Sequence, residues 1–405
     1  MSYKKTTLGL HCTVTSSKRF HASERTKEGV PFYCSKEIIK KVKGEEVTEC
    51  DYISEDAYNR VKGEYGVPQT GDLLITTRGT YGVPYIYKEY DKFYFADGNL
   101  TWLKDFDGEL DAEYLYYWIN SYEGQKKIDA IAKGTAQKAV PIVALKQIEI
   151  VIPENYIQKK VVVFLKTYDQ LIENNKKQIK LLEEAAQRLY KEWFVDLRFP
   201  GYENCKIVDG VPESWTQKKI SDLGKIITGK TPSTSKEQYY GGNIPFVKIP
   251  DMHDCVFTIT TEVSLTNEGA NTQKNKYIPK NGIMVSCIAT VGLVNIATEI
   301  CQTNQQINSI ILNDEWDLYY VYSSMKRLKE LLEGVGSNGA TMTNVNKNKF
   351  GNLEVVYPSD ELRKLYYNYC KPIFEKIYAL SRNIKKLTQA RDCLLPKLMS
   401  GEIEV

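Results

Sequence analysis

No stretch of about 18 consecutive apolar residues occurs in the 405-residue chain, so no segment reads as a membrane-spanning helix. The opening MSYKKTTLGL lacks the apolar core of a secretory signal, and a cytoplasmic protein without a membrane partner is expected. CxxC spacing is absent as well. The nine cysteines (Cys12, Cys34, Cys50, Cys205, Cys255, Cys287, Cys301, Cys370 and Cys393) are odd in number and scattered, which fits free thiols and argues against a disulfide framework or a zinc site. Histidine is scarce: His11, His21 and His253 are too few and too far apart for a triad or a metal cluster. There is no Pro-Pro-Tyr or Pro-Pro-Phe tetrapeptide of an amino-methyltransferase and no nuclease carboxylate set. No catalytic residue and no metal ligand is expected. Charge of one sign is also missing. The formal net charge is +3, and residues 1–150 and 215–357 sum to −1 and +1, so any polyanion must meet a local basic patch.

What the chain does contain is itself, twice. GVPFYCSKEI (29–38) answers NIPFVKIPDM (243–252), and VPQTGDLLITTRGTYG (67–82) answers IPKNGIMVSCIATVG (278–292). GTAQKAVPIVALKQIEIVIP (134–153) then answers GATMTNVNKNKFGNLEVVYP (339–358) at an offset of 205. From there the offset never moves: Ile157/Leu362, Phe164/Tyr369, Ile172/Ile377, Leu182/Leu387 and Leu189/Leu394 all match at 205. Insertions therefore fall inside the domains and spare the segments that follow. Loops tolerate them, whereas a deletion within a packed helix turns every later side chain by about 100°.

Those segments have the rhythm of long helices. Phe164, Tyr168, Leu171, Leu182, Ala185 and Leu189 follow steps of three and four, as in a coiled coil. Roughly 40 residues at ~1.5 Å each make a rod of ~60 Å, too long for one small domain, so the two rods are expected to pack on each other. Asn175, opposite Leu380 in the repeat, falls at an a-type position of the seam, where it would either set register or sit at a solvated seam end. Pro372 and Pro396 predict a kink and a helix end respectively.

Each domain reads as mixed α/β with short strands at LLITT (73–77), YGVPYIYK (81–88), KFYFA (92–96), NIPFVKI (243–249), GIMVS (282–286) and INSIIL (307–312). The tracts 111–132 and 317–334 have helical spacing, and Tyr114, Tyr116, Tyr117 and Trp118 are expected in the core. Strands and helices do not alternate, which excludes a doubly wound sheet. The expected organisation is a first domain over 1–152, a helix over 153–196, a linker over 197–214, a second domain over 215–357 and a C-terminal helix over 358–405.

Two motifs suggest nucleotide chemistry. Residues 224–231, GKIITGKT, satisfy the phosphate-loop pattern GxxxxGK[ST], and 334–339 spell GxGxxG. A phosphate loop needs a buried strand before it and a helix after it, and PSTSKEQYYGG cannot start a helix directly. A P-loop NTPase through Gly224–Thr231 remains an alternative, as does a coiled-coil scaffold whose domains bind proteins or glycans.

The tract VPESWTQKKISDLGKIITGKTPSTSKEQYYGGNIPFVKIPDM (211–252), the following IPKNGIMVS, and the terminal QARDCLLPKLMSGEI (389–403) resemble the specificity subunit of type I restriction-modification systems. The resemblance covers essentially the whole chain, and residues 152–190 are similar to that family's inter-domain region. It departs only at residues 16–32, which lack the proline-serine element. The resemblance implies an α+β, pseudo-twofold arrangement: two tandem target-recognition domains separated by two long helices in an antiparallel coiled coil. It implies a non-catalytic, sequence-specific DNA-binding subunit, each domain reading one half of a bipartite, asymmetric site in double-stranded DNA. Two modification subunits would dock on the helices and methylate adenine with S-adenosylmethionine. Restriction subunits would use ATP and Mg, and no cofactor would be bound by this chain. A ~60 Å rod caps the separation of half-sites near 18 base pairs at ~3.4 Å each.

Candidate DNA contacts are polar and basic residues in turns bordering the strands: Lys18, Arg19, Arg78, Lys133, Gln137 and Lys138 in the first copy, and Lys230, Ser233, Thr234, Lys248, Asn338 and Asn344 in the second. Arginine suits a bidentate contact to guanine, asparagine or glutamine one to adenine, and lysine a phosphate. Arg78, beside glycine in a tight loop, is the best single candidate.

Overall fold

A computed structural model describes residues 3–134, 138–327 and 345–404. It divides into two compact units, Met1–Gln170 with Thr388–Val405, and Leu171–Leu387. Both long helices, the central Asn155–Phe194 and the C-terminal Asp360–Ser400, give one stretch to each unit. Among the described residues no helix is long and apolar enough to cross a membrane.

The first unit contains β1 (Tyr3–Thr7), β2 (Thr13–Thr15), β3 (Val30–Tyr33), β4 (Asp51–Ile53), β5 (Leu73–Thr76), β6 (Pro84–Ile86), β7 (Tyr94–Phe95), β8 (Leu100–Lys104) and β9 (Glu149–Pro153). β1 runs antiparallel to β9, with Tyr3 opposite Pro153 and Thr7 opposite Glu149, so the chain enters and leaves the domain side by side. Between them lie a four-stranded sheet ordered β2-β8-β5-β6 and a three-stranded one ordered β4-β3-β7. The apolar run of β5 is explained by cores on both faces. Leu73 and Ile75 face the helical side with Tyr114, Leu115 and Ile150, while Leu74 faces Tyr33, Phe93 and Trp102. The long-helix stretches join the first of these cores through Ile157, Val161 and Leu165 and through Leu395 and Met399, spaced four apart. Each such side chain contributes about 1.5–3 kcal/mol when fully buried.

The second unit repeats the plan with β10 (Ile207–Val208), β11 (Val211–Pro212), β12 (Thr216–Lys219), β13 (Gly224–Thr228), β14 (Tyr240–Val247), β15 (Phe257–Thr258), β16 (Val263–Leu265), β17 (Ile283–Ser286), β18 (Val294–Ala297), β19 (Gln302–Thr303), β20 (Ile307–Leu312) and β21 (Glu354–Tyr357). β12 and β21 close it as β1 and β9 close the first, Thr216 opposite Tyr357. The sheets are ordered β13-β20-β17-β18-β15 and β16-β14-β19, the earlier topology with β15 added at one edge. Ile283 and Val285 again face one core and Met284 the other.

Two local expectations are corrected. The C-terminal helix is continuous through Pro372 and ends at Ser400, four residues past Pro396. Both prolines are exposed, and the carbonyls they leave unpaired, four residues earlier, belong to exposed Asn368 and Asp392, where water can serve them. The helical tract 111–132 is two helices, Ala112–Asn120 and Tyr122–Ile131, because the Ser121 hydroxyl accepts from Gly124 N and caps the second. The linker carries local structure of its own. Asp209 and Gly210, both at positive φ, turn a β10–β11 hairpin, and Trp215 packs on Phe199 and Phe194 with ring centroids 5.2 and 5.9 Å apart. Asn175 is buried, and its amide nitrogen has no partner among the described residues. Tyr114, Tyr117 and Trp118 lie in the core of the first unit.

The repeat is strict in backbone but not in chemistry where domain meets helix. Gln158 is fully buried in the first copy, donating to Glu109 O at 2.7 Å and Pro153 O at 2.8 Å and accepting from Asp111 N at 2.9 Å. Its counterpart at offset 205 is Arg363, buried against Asp317, which also accepts from Tyr357 Oη at 2.8 Å. The Arg363 guanidinium lies 4.1 Å from the Tyr357 ring centroid. A second trio differs likewise. Tyr117, Asp169 and Arg391 form a polar chain in the first unit, with bonds of 2.7 Å, whereas the matching Tyr322, Phe374 and Ala186 pack in the core of the second, with the Tyr322 hydroxyl donating instead to Glu183 at 2.9 Å.

Removing one partner of a buried ion pair leaves the other charge unmet, at a cost of about 3–5 kcal/mol. Arg363→Ala is therefore expected to destabilise the second unit by that amount, and Gln158→Ala the first by about 1–3 kcal/mol. Hydrogen exchange across residues 315–366, read with denaturant unfolding, checks this. An Arg363→Ala loss under about 1 kcal/mol contradicts it.

Candidate DNA interface

The sheet topology gathers loops at one end of each domain. In the first, β2 and β5 both run antiparallel to β8, Thr15 opposite Trp102 and Thr76 opposite Leu100. The ends of β2 and β5 and the start of β8 therefore share an edge. Lys18 and Arg19 follow β2, Arg78 follows β5, and residues 96–99 precede β8. Thr77 N donates to Asn99 O at 2.8 Å, and Ser35 Oγ donates to Asn99 O at 3.0 Å, drawing in the loop after β3. Ala139 forms bridges to both Arg78 and Lys133, so the 133–139 turn arrives at the same edge. Five expected residues thus come together: Lys18, Arg19, Arg78, Lys133 and Lys138, all exposed. Gln137 lies outside the described residues.

Their electrostatic states differ. The Lys138 ammonium sits 3.1 Å from Asp129, and Tyr81 first and Lys138 second hold the Asp129 carboxyl below its ordinary value. Arg19 faces Asp97 at 3.6 Å, and Lys18 lies 4.7 Å above the Tyr65 ring. No ion pair is found for Arg78 or Lys133 among the described residues, so their charge is available to a ligand. The Arg78 loop is built for close approach, with Gly79 and Gly82 at positive φ, Gly82 N donating to Thr76 O, and Thr76 Oγ1 accepting from Val83 N at 3.0 Å.

In the second unit the same edge is formed by the ends of β13 and β17 and the start of β20, Thr228 opposite Asn308 and Ser286 opposite Ile307. Cys287 N donates to Gln306 O, Gly292 N to Ser286 O, and Ser286 Oγ accepts from Leu293 N at 2.8 Å, bond for bond the scheme around Arg78. The position of Arg78 is held here by Ile288, with Ala289 at positive φ replacing Gly79. Lys230, Ser233 and Thr234 follow β13 and are exposed; half-buried Lys248 follows β14, whose Val247 O accepts from Asn304 N at 3.1 Å. Asn338, Asn344 and the GxGxxG at 334–339 lie outside the described residues. The sequence reading passed over Gln305, which is exposed and accepts from Thr231 Oγ1 at 2.7 Å. Its signal was the run Asn304-Gln305-Gln306 directly before a strand.

The phosphate-loop reading is overturned by this geometry. Residues 224–228 are β13 itself, Gly229 N donates to Ile307 O at 3.1 Å, and Lys230 N donates to Thr303 O at 2.9 Å. Those amides are spent inside the protein and cannot cradle a phosphate. The next helical element is a single 3-10 turn, Glu237–Tyr239. Gly229 is required because a Cβ there would sit 2.1 Å from Asn304 O. Burial pushes the Cys12, Cys255, Cys301 and Cys370 thiols up to about 12, which keeps these four protonated. His11 does meet acidic groups, Asp107 and Glu109. Both its ring nitrogens are already engaged, Nε2 with Thr6 Oγ1 at 2.8 Å and Nδ1 with Asp107 at 2.7 Å.

The family described as type I restriction modification DNA specificity domain matches twice, over residues 3–184 and 212–389. The chain belongs to that specificity family. Among curated relatives, the Haemophilus influenzae type I restriction enzyme HindI specificity subunit is 34% identical over 72% of this chain and 77% of its own. The Methanocaldococcus jannaschii MjaIX specificity subunit is 28% identical over 83% and 78%. The crystal structure of a type I restriction-modification S subunit from Mycoplasma genitalium superposes with a TM-score of 0.58, at 16% identity, covering 98% of this chain and 96% of that one. The specificity fold, mixed α/β with a long central helix, is thereby shared, and the chain is a DNA sequence specificity subunit. Neither an NTPase nor a scaffold for other partners finds support.

For a specificity subunit the unpaired arginine in the tight loop is the group to test. Arg78→Ala is expected to weaken DNA binding by about 1–3 kcal/mol and relax base preference. Lys138→Ala, whose charge Asp129 already meets, is expected to cost under about 1 kcal/mol. A gel-shift titration at fixed salt checks both, and equal effects of the two variants contradict the assignment.

Proposed function

We propose that each unit's domain reads one half of a bipartite, asymmetric site in double-stranded DNA through the loops gathered at its sheet edge. The carrying observation is the identical loop scheme around Thr76 and Ser286, which presents Arg78 in one copy and Ile288 in the other. One frame with two different tips suits one protein reading two different half-sites. Lys18, Arg19, Arg78, Lys133, Gln137 and Lys138 serve the first half-site; Lys230, Ser233, Thr234, Lys248, Asn338 and Asn344 serve the second.

The chain itself is non-catalytic on this reading and acts in the cytoplasm. Two modification subunits dock on the long helices, which set the half-site spacing, and methylate adenine using S-adenosylmethionine. Restriction subunits supply ATP- and Mg-dependent cleavage, and no cofactor is bound by this chain. Exposed Val163, Leu171 and Leu181 on the central helix and Leu365 and Tyr369 on the C-terminal one support a docking role.

The test is methylome sequencing of a host carrying this chain with its neighbouring modification subunit. The expected result is one bipartite methyladenine motif that disappears when the chain is deleted. A continuous motif, or one that persists without the chain, overturns the reading.

A further inference from the structure

The short parallel strand of each three-stranded sheet performs the same act on the loop that leaves the first strand of the larger sheet. Tyr94 on β7 lies opposite Phe32, and Gln302 on β19 lies opposite Phe246, so the two occupy one position of the repeat. Both are fully buried. Tyr94 Oη accepts from Lys18 N at 2.7 Å. Gln302 Oε1 accepts from Gln273 Nε2 at 2.8 Å, and the other hydrogen of that amide goes to Lys230 O at 2.6 Å. The next residue along each strand repeats the contact: Phe95 O accepts from Ser17 Oγ at 2.7 Å, and Thr303 O accepts from Lys230 N at 2.9 Å.

We propose that Tyr94 in the first domain, and the Gln302–Gln273 amide pair in the second, are positioning residues that lock the basic loops bearing Lys18–Arg19 and Lys230–Thr231 before DNA arrives. This rests on the reading that each domain addresses one half-site. The side chains of Lys18, Arg19 and Lys230 are exposed while the backbones of Lys18 and Lys230 are tied to the interior. A loop held in this way surrenders its conformational freedom on folding and not on binding, and its base contacts become sharper. The second latch is costly to keep, since Gln273 is buried and its Oε1 has no partner among the described residues. Reaching the Lys230 carbonyl is what the amide does there.

The test uses the full chain with its modification subunit. Methylation rates are measured on duplexes carrying single base changes in each half of the wild-type motif. Tyr94→Phe, which keeps the ring and removes one hydroxyl, is expected to lower discrimination about five-fold at one half-site only, the weight of a single hydrogen bond. Gln273→Met is expected to do the same at the other half alone. Ser17→Ala alters only a half-buried hydroxyl, keeps the core intact, and must affect the same half-site as Tyr94→Phe. A structural role without positioning lowers activity on all duplexes equally. That result, or unchanged discrimination in the three variants, overturns the proposal. A wild-type complex with no bipartite motif instead overturns the reading beneath it.

Discussion

The antiparallel pairing of each domain's first strand with its last, β1 with β9 and β12 with β21, is the constraint on which the remainder depends. It brings the two ends of roughly 140 residues within one strand spacing, and in the first unit β9 passes through Glu154 directly into the central helix. Everything between is then a closed excursion. Insertions within it leave the helix phase untouched, because the ladder and not the loop lengths decides where the helix begins. Buried Ile150 and Ile152 on β9, and Val355 and Tyr357 on β21, fasten this ladder to the same cores that hold the helices.

From that closure follows a separation between frame and content. The loop after β5 and the loop after β17 share their hydrogen bonds, yet one presents arginine and the other isoleucine. The joints beneath the domains also differ in kind, Gln158 against Arg363 and the Tyr117–Asp169–Arg391 chain against Phe374, Ala186 and a Tyr322 bonded to Glu183. Those differences give each domain its own seat: Tyr117 donates to Asp169, which pairs with Arg391, whereas Tyr322 donates to Glu183 while its ring packs on Phe374. The duplicated ancestor has diverged at two levels, at the tips that meet DNA and at the seats that hold each domain.

Much of this was legible in residue order. The constant offset of 205 marked the helices, whose observed limits fall within two to five residues of the expected ones, and the glycine and proline punctuation located most strands. Pro396 misled because a helix interior is judged by what the missing N–H leaves unpaired, and exposure decides that. The GKT tract matched a pattern that its flanking residues already argued against, and whether its amides were free depended on Thr303 and Ile307, more than 70 residues away. The latches on Lys18 and Lys230 were invisible in the same way, since Tyr94 and Gln302 carry no motif and act only through the fold. Nothing local distinguishes buried Arg363 from the surface arginines; its partner Asp317 is 46 residues distant.

If frame and content are separable, one tip should be replaceable without the other noticing. Residues 77–83 can be exchanged for the sequence of 287–293, which makes the same bonds to its flanking strands, and the methylated motif of the assembled enzyme sequenced. The account predicts that one half of the motif changes, the other half and the spacer stay base for base, and the melting temperature holds. A motif altered in both halves, or in neither, would contradict it.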